Sequence, residues 1–294
     1  MSAINLIRKD EKEEIDLKIN NEVPYLYFKN IENTNLVNHG ISTRLGGVSK
    51  KHLSSMNLSF TRGDEESNVL ENYRRMTDAL KVDYSNLVLS YQTHTTNIKV
   101  VTKEDVGKGL IRERGYTDID GLITNEPGIT LVTFYADCVP LLFVDPVNKA
   151  IGSSHSGWRG TVDKMGKETV KKMQEQYGTN PQDVIAAIGP SICIDCYEVS
   201  EDVIEEFAKS FDQNIMEDIC YKKDNGKYQL DLWKANKYIL LEAGIKEENI
   251  AVTNICTCCN PDLLFSHRAS QGMRGNLAAF IGLKKADRLD KVLT

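Results

Sequence analysis

The chain has 294 residues, enough for one large or two small domains and enough to bury a core without metal or disulfide crosslinks. Apolar residues make up 41% and charged residues 27%, a globular composition that excludes wholesale disorder. The net charge of −6 gives no basic surplus, which argues against a nucleic-acid partner. No apolar run reaches the ~18 residues of a membrane span, and the N-terminus has no signal-peptide pattern, so we expect a cytoplasmic protein with no membrane partner.

Hydrophobic periodicity predicts strands and helices in mixed order along the chain. Alternation between residues 14 and 19 predicts a half-exposed strand near the N-terminus. Helical spacing of apolar residues predicts four helices, which are Ser67–Leu80, Thr161–Tyr177, Glu201–Ser210 and Leu232–Ala243. Short apolar runs predict further strands, which are Leu87–Ser90, Ile98–Val101, Ile129–Phe134, Pro140–Val144, Val184–Ile188 and Leu277–Leu283.

The order of these elements predicts the fold class. Strands and helices mix without a regular βαβ alternation, and no repeat, low-complexity tract or linker-like segment interrupts the chain. We therefore predict a single domain of the α+β (mixed α/β) class. In it, mixed sheets pack between helices in an α/β/β/α layering.

Three polar segments that each follow an apolar run contain a His or a Cys. His94 lies in YQTHTTN, Cys138 in FYADCVP and His155 in SSHSGWRG. Because polar groups at strand ends often form active sites, these three residues are the leading candidates for chemistry. His39 and His52, by contrast, lie in polar, loop-like sequence. On the pattern alone, a buried Cys with two hydrogen-bonded His is the alternative interpretation.

The same segments resemble the YfiH-type laccase-domain family, also known as the polyphenol oxidase or purine nucleoside phosphorylase family. The resemblance spans about Val37 to Leu283 and rests on the combined order of the motifs STRLGGVS, QTH, DGLIT, ADCVP, HSGWRG, IGPSI, YEV, CT and FSHR. It implies an N-terminal extension over residues 1–36 that packs on the domain. It also implies a laccase-type, metal-binding catalytic domain over residues 37–294.

The resemblance further implies a metal site formed by His94, Cys138 and His155, with the same residues as catalytic groups. Two imidazoles and one thiolate suit Zn²⁺ or, as the alternative, Cu²⁺. They leave a fourth position for water or substrate, and an open position is typical of catalytic rather than structural zinc.

The chain has seven cysteines, which in a reducing compartment we expect to be thiols, metal ligands or catalytic groups rather than disulfides. Cys193 and Cys196 form one C-x-x-C motif, and Cys256 and Cys259 form another. Together they could form a four-cysteine structural zinc site, but the two motifs are much further apart than the ~15–20 residues of a zinc ribbon. Buried thiols are therefore the favoured interpretation, and the roles of these cysteines and of Cys258 stay open.

Arginine and aspartate residues near these motifs are candidates for substrate binding and proton transfer. Arg44 lies in a glycine-rich turn and Arg159 follows the third His/Cys segment, and guanidinium groups suit phosphate. Asp120 is assigned with them to the substrate and phosphate site, and Asp137 is assigned a catalytic role in proton transfer. Capping of a turn by either Asp, and packing of Arg159 on Trp158, are the alternatives.

One position departs from the family pattern. The family places a Gly-Arg pair before its last apolar strand, whereas this chain has Asn276 at the arginine position and Arg274 two residues earlier. If that arginine serves substrate binding or stability, Arg274 must substitute for it or the role is weakened.

The resemblance implies a zinc-dependent purine nucleoside enzyme. The expected reaction is phosphorolysis of adenosine or inosine, with methylthioadenosine as a further substrate, to the base and ribose 1-phosphate. Adenosine deamination is a second expected activity, so the small-molecule partners are a purine nucleoside and phosphate. One alternative is a copper-dependent polyphenol oxidase, although five His are too few for a multi-copper centre. The other is a thiol hydrolase with Cys138 as nucleophile.

Overall fold

The structure is a computed structural model that describes Ile4 and residues 6–285. The strands are β1 Ile15–Asn20, β2 Val23–Phe28, β3 Val37–Ser42, β4 Leu87–Leu89, β5 Ile98–Val100, β6 Gly121–Thr124, β7 Thr130–Tyr135, β8 Val139–Asp145, β9 Ala150–Ser156, β10 Ile185–Ile188, β11 Glu198–Val199, β12 Cys220–Lys222, β13 Tyr228–Leu230, β14 Ile250–Val252 and β15 Leu277–Leu283. The helices are α1 Lys29–Glu32, α2 Glu66–Leu80, α3 Trp158–Val162, α4 Met165–Tyr177, α5 Glu201–Ser210, α6 Gln213–Ile219 and α7 Leu232–Glu242. Among these described helices, none combines the length and the apolar character that crossing a bilayer requires.

Two six-stranded mixed sheets form the centre of the molecule. The first sheet has the strand order β1-β2-β3-β15-β7-β4, and the second has the order β14-β10-β8-β9-β6-β5. The parallel pairs are β4–β7 in the first sheet and β10–β14 and β5–β6 in the second, and the other neighbours are antiparallel. A small antiparallel sheet, β11-β13-β12, lies apart from these two. The predicted α+β class with mixed sheets is confirmed.

Hydrophobic packing holds the sheets and helices in four layers. Leu131 of the first sheet and Leu142 of the second belong to one buried cluster between the sheets. Met173 of α4 belongs to a cluster that joins the helices α4, α5 and α7 to the outer face of the second sheet. On the other side, Tyr73 of α2 packs edge-on against Phe280 of β15, with ring centroids 6.3 Å apart. The order is therefore α/β/β/α, as predicted.

The sequence predicts one continuous helix over Thr161–Tyr177, and this prediction is wrong. Two helices, α3 and α4, cover this stretch, because Lys164 adopts a left-handed conformation with φ 58° between them. A lysine at such a position leaves no mark in the hydrophobic pattern, which continues across the break. The other predicted helices and strands are present with ends shifted by no more than one residue. The helices α1 and α6 and the strands β2, β3, β6, β9 and β11–β14 were not predicted.

The residues before Val37 contribute directly to the first sheet. Strand β1 pairs with β2, and β2 pairs with β3 through Tyr25–Ser42 and Leu26–Ile41. The chain therefore passes from the N-terminal strands into β3 within one continuous sheet. The predicted division into residues 1–36 and 37–294 stays a prediction.

His39 lies on β3 and is buried, not in the loop that its sequence context indicates. Its Nε2 accepts a hydrogen bond of 2.9 Å from the backbone amide of Phe28, so the ring nitrogen that faces β2 is unprotonated. Burial disfavours the imidazolium, the charge of Lys18 adds to the effect, and together they lower the pKa of His39 to about 3.

We expect this histidine to make the free energy of unfolding decrease as the pH falls from about 6.5 toward about 3. In that window the unfolded chain binds a proton on residue 39 that the folded chain does not, and one such group changes stability by about 1.4 kcal/mol per pH unit. His39→Gln keeps an acceptor for the Phe28 amide and cannot titrate. Denaturant unfolding at several pH values should therefore give a shallower pH slope for this variant. Equal slopes for the two proteins would contradict the assignment.

Candidate functional site

The three candidate metal ligands converge at one rim of the two central sheets. His94 lies in the loop from β4 to β5, Cys138 in the turn from β7 to β8, and His155 near the end of β9. The Nε2 atom of His94 is 3.9 Å from Sγ of Cys138, and the rings of His94 and His155 have centroids 4.9 Å apart. One ligand atom from each residue lies within 4.8 Å of the other two. The fold thus brings together three residues that lie far apart in the sequence.

The turn that carries Cys138 crosses from the first sheet to the second. Asp137 adopts φ 89° in this turn, and its buried carboxylate fastens the turn to the C-terminal part of the chain. Oδ1 accepts a hydrogen bond of 2.6 Å from the Thr257 hydroxyl, and Oδ2 accepts one of 2.7 Å from the Arg268 amide. The backbone carbonyl of Asp137 accepts a third bond from the amide of Ile192. The contacts of this carboxylate are those of a positioning residue, and its predicted role in proton transfer stays a prediction.

The carboxylate of Asp120 contacts both histidines of the candidate metal site. Its Oδ1 accepts hydrogen bonds from the amides of Thr93 (2.8 Å) and Thr95 (3.2 Å), and its Oδ2 accepts one from the amide of His94 (3.1 Å). Oδ2 also lies 2.8 Å from Nδ1 of His155. Burial by itself would raise the pKa of Asp120, but the hydrogen bonds from His155 and the amides outweigh burial and lower it. Asp120 therefore fixes the His94 loop, where His94 has φ 68°, and leaves Nε2 of His155 free to bind.

Cys138 and His155 shift each other's pKa toward the charged forms. Burial by itself would raise the pKa of the Cys138 thiol, but the positive charge of His155 and hydrogen bonds from both histidines outweigh burial and lower it. Burial opposes the charge of His155 too, yet the Cys138 thiolate and the Asp120 carboxylate raise the pKa of its imidazole. The site therefore favours the thiolate, which is the form of cysteine that binds metals.

This donor set fits a transition-metal ion. Two imidazole nitrogens and a thiolate are ligands for zinc or copper, and the Asp120–His155 contact is the carboxylate partner that metal-bound histidines typically have. The 3.9 Å between His94 and Cys138 is close to the roughly 3.6 Å expected for nitrogen and sulfur on one tetrahedral zinc. His155 is buried, Cys138 is half-buried and His94 is exposed, so the ligand set opens to one side.

A cleft of about 370 Å³ lies on that open side. This volume is within the range of pockets that bind small molecules. His94, Cys138 and His155 line the cleft. Its other walls combine aromatic rings and guanidinium groups, which belong to Phe60, Tyr91, Phe134, Arg62, Arg114 and Arg274.

The arginines of the cleft have unused hydrogen-bonding capacity. The Nε atoms of Arg114 and Arg274 are buried and have no hydrogen-bond partner among the described residues. Burial, together with the like charge of Arg62, lowers the pKa of Arg274 to about 10. Arg274 also donates to the side chain of Asn276, so the two residues that depart from the family pattern lie together in the cleft. Crowded guanidinium groups with free N–H bonds are a favourable environment for an anion.

The arginines and aspartates that the sequence predicts at the site are not cleft-lining residues. Arg44 donates to the carbonyls of Ser54 (2.9 Å) and Pro261 (2.7 Å), and exposed Arg159 stacks on its neighbour Trp158 with 4.3 Å from guanidinium carbon to ring centroid. Asp120 and Asp137 lie behind the ligands, as described above. Their predicted roles with substrate and phosphate stay predictions.

Sequence reasoning missed Arg62 and Arg114 as site residues. Both stand in polar, charged stretches outside the motifs, where arginines are usually solvated, and no spacing distinguishes them. The aromatic residues at positions 60, 91 and 134 were also missed, although Tyr91 and Phe134 lie in the segments that contain His94 and Cys138. Only the tertiary structure brings these segments to the same cleft.

Gly157 provides a test of the site geometry. It stands at the N-cap of α3 with φ −72°, so alanine could adopt its backbone conformation. A Cβ atom there would lie 2.9 Å from Cδ2 of His94 and 3.1 Å from Sγ of Cys138, closer than non-bonded atoms normally approach. A Cβ on Gly160, in the same helix, would meet its nearest neighbour at an ordinary 3.5 Å.

We expect Gly157→Ala to displace His94 or Cys138 and to weaken metal binding by about 10- to 100-fold, the loss typical of a disturbed ligand environment. Gly160→Ala should bind metal as the unmodified protein does. Competition with a chromophoric chelator measures both affinities, and melting temperatures show whether each variant is folded. Equal affinity of the two variants would contradict the arrangement described here.

Comparisons with known proteins identify the family of this chain. The family model described as multi-copper polyphenol oxidoreductase laccase matches residues 38–284. The purine nucleoside phosphorylase YlmD of Bacillus subtilis (strain 168) is 38% identical over 258 residues, which are 87% of this chain and 91% of YlmD. The adenosine deaminase RL5, from an unknown prokaryotic organism, is 34% identical over 232 residues, which are 77% of this chain and 87% of RL5.

The fold is also that of a solved relative. The crystal structure of the Bacillus licheniformis hypothetical protein YfiH matches with a TM-score of 0.86 and 33% sequence identity, covering 91% of this chain and 99% of YfiH. The family model and these relatives each extend over most of the chain. The chain therefore belongs to the laccase-domain (YfiH-type) family that its motifs resemble.

Proposed function

We propose that this protein is a zinc-dependent purine nucleoside phosphorylase. It converts adenosine or inosine and phosphate to the free base and ribose 1-phosphate. The observation that carries the proposal is the single cleft lined by aromatic rings, guanidinium groups and the His94–Cys138–His155 set. Flat aromatic walls suit a purine, and guanidinium groups suit phosphate. The names of the phosphorylase relatives support the same reaction.

In this reaction the bond from ribose C1′ to the purine nitrogen breaks and a bond from C1′ to a phosphate oxygen forms. The base leaves with the electron pair and takes up the proton that the hydrogen phosphate loses. Arg274, with Arg62 beside it, holds the phosphate, and Phe60 and Tyr91 hold the base and exclude water. His94, Cys138 and His155 would hold a divalent ion, which when bound would supply Lewis-acid chemistry to the cleft.

The residues behind the ligands act on the reaction by positioning them. Asp120 orients His155 and holds the backbone of the His94 loop. Asp137 holds the turn of Cys138 through Thr257 and Arg268. Neither carboxylate needs to touch the nucleoside for the reaction to depend on it, because small displacements of ligands cost orders of magnitude in rate.

Adenosine deamination is a second candidate activity of the same cleft. A three-ligand site with an open side is the arrangement of zinc enzymes that use water, and the relative RL5 is named an adenosine deaminase. Deamination consumes water and releases ammonia, whereas phosphorolysis consumes phosphate. Ammonia release from adenosine without phosphate therefore separates the two activities.

We expect Cys138→Ala to lower phosphate-dependent turnover of adenosine by more than about 100-fold. Loss of a metal ligand should cost more than loss of a residue that only hydrogen-bonds to a ligand, which typically costs about 10- to 100-fold. The chain should stay folded, because a core of this size does not depend on one ion. The matched control is Cys220→Ala, a thiol that donates to the carbonyl of Met216 and does not line the cleft. Chromatography of base and ribose 1-phosphate gives the rates. Full turnover in folded Cys138→Ala would overturn the proposal, as would phenol-dependent dioxygen uptake by copper-loaded protein without nucleoside turnover.

We expect Arg274→Met to raise the apparent KM for phosphate by roughly 10- to 100-fold. One charge-assisted hydrogen bond contributes ~1.5–3 kcal/mol, and each 1.4 kcal/mol is about tenfold in affinity. Deamination should change less, since it does not use phosphate. Arg159→Met and Arg44→Met are the comparison variants, because their guanidinium groups do not line the cleft. A larger rise of the phosphate KM in either comparison variant would instead assign phosphate binding to Arg159 or Arg44, as the sequence predicts.

A further inference from the structure

The structure brings the two C-x-x-C motifs together at a second place in the molecule. Cys193, Cys196, Cys256 and Cys259, here called the four-cysteine cluster, have sulfur atoms within 4.8 Å of one another. The Sγ atoms of Cys196 and Cys259 are 3.6 Å apart, and those of Cys193 and Cys259 are 4.0 Å apart. The four thiols therefore form one compact group, although the two motifs are much further apart in the sequence than those of a zinc ribbon.

The order of strands in the second sheet explains how such distant motifs meet. Strands β10 and β14 are parallel neighbours, with Ile188 paired to Val252, so their C-terminal ends lie side by side. The first motif follows β10 and the second follows β14. A bridge between Ser191 and Cys256, and a hydrogen bond of 3.1 Å from the Thr257 amide to the Ser191 carbonyl, hold the two segments in register. The long stretch between the motifs forms β11–β13 and α5–α7 and returns to the same edge.

The spacing of the sulfur atoms fits a metal ion and does not fit disulfide bonds. Sulfur atoms on a tetrahedral zinc with bonds of about 2.3 Å lie about 3.8 Å apart, and the two observed separations fall on either side of this value. A disulfide would need about 2.05 Å. The amide of Cys193 donates a bond of 3.2 Å to Sγ of Cys256, a contact that stabilises a metal-bound thiolate. Four protein sulfur atoms would therefore supply all the ligands of a tetrahedral ion.

We propose that the four-cysteine cluster binds one structural Zn²⁺. A closed set of four thiolates is the typical ligand set of structural zinc, in contrast to the three ligands and open side of the cleft. The short C-x-x-C turns supply the geometry: the amide of Cys196 bonds to the carbonyl of Cys193 at 3.1 Å and places both side chains on one side of the turn. This site is separate from the His94–Cys138–His155 set, since no residue belongs to both.

The bound ion braces the part of the chain that positions Cys138. Thr257, between two ligands of the cluster, donates to Asp137, which precedes Cys138. Arg268 donates its amide to the same carboxylate, and its guanidinium donates to the carbonyl of Cys196 at 3.1 Å. Loss of the ion would therefore loosen the Cys138 turn without removing any ligand of the cleft.

The experiment measures metal in a chain whose cleft cannot hold an ion. Cys138→Ala protein, purified without chelators, should contain one equivalent of zinc by elemental analysis and native mass spectrometry. X-ray absorption at the zinc edge should show a shell of four sulfur atoms at about 2.3 Å. Absence of zinc from this folded protein, or iron in its place, would overturn the proposal.

Variants of the cluster supply the second measurement. In the Cys138→Ala background, Cys256→Ser/Cys259→Ser should lose the remaining zinc and melt at a lower temperature. Cys220→Ser and Cys258→Ser, whose thiols lie outside the four-cysteine cluster, should keep it. Zinc retained by the double variant would overturn the proposal. These experiments measure metal content and not turnover. A protein that binds this zinc but does not catalyse phosphorolysis would therefore contradict the proposed function and leave the zinc site intact.

Discussion

One buried carboxylate, that of Asp120, holds together the parts from which the candidate site is built. Moving a carboxylate into a protein interior is costly unless hydrogen bonds replace its water shell. Here three backbone amides and the imidazole of His155 do so. The same contacts hold the His94 loop in a conformation that a non-glycine residue rarely adopts. The segments that stabilise the ionised carboxylate are thus the same segments that it positions.

The second constraint is the passage of the chain between two sheets. Cys138 lies in the turn from β7 to β8, and β7 and β8 are inner strands of different sheets. A tight turn between buried strands has little conformational freedom. The contacts of Asp137 with Thr257 and Arg268 restrict this turn further. His155 comes from the strand that pairs with β8, so its position follows from the sheet register of Pro140 with His155. Strand pairing therefore places His155, whereas hydrogen bonds to Asp120 and Asp137 hold the loop of His94 and the turn of Cys138.

The elements that the sequence predicts well are those with strong periodicity. The helices Glu66–Leu80 and Glu201–Ser210 and the strand Leu277–Leu283 have regular apolar faces, and burial of those faces decides their structure. The break at Lys164 could not be predicted, since tertiary packing imposes a left-handed conformation that no neighbouring residue marks. The His94–Cys138–His155 set was identified through motifs.

The cleft arginines and the meeting of the two C-x-x-C motifs depend on contacts that sequence separation does not reveal. Arg62 and Arg274 line one cleft although they lie far apart in the sequence. The two C-x-x-C motifs are far apart in the sequence, but the parallel pairing of β10 with β14 brings them close together in space. A comparison with the short spacing of zinc ribbons is therefore misleading for this fold, because here the spacing is set by a crossover that contains three helices.

The graded exposure of His94, Cys138 and His155 would determine the path by which an ion reaches or leaves them. His155 is buried and Cys138 half-buried, so an ion would approach from the side of His94, which is the side of the cleft. A molecule bound in the cleft would cover that path. Metal exchange and access to the cleft would then share one entrance, and a ligand bound in the cleft would slow the release of the ion behind it.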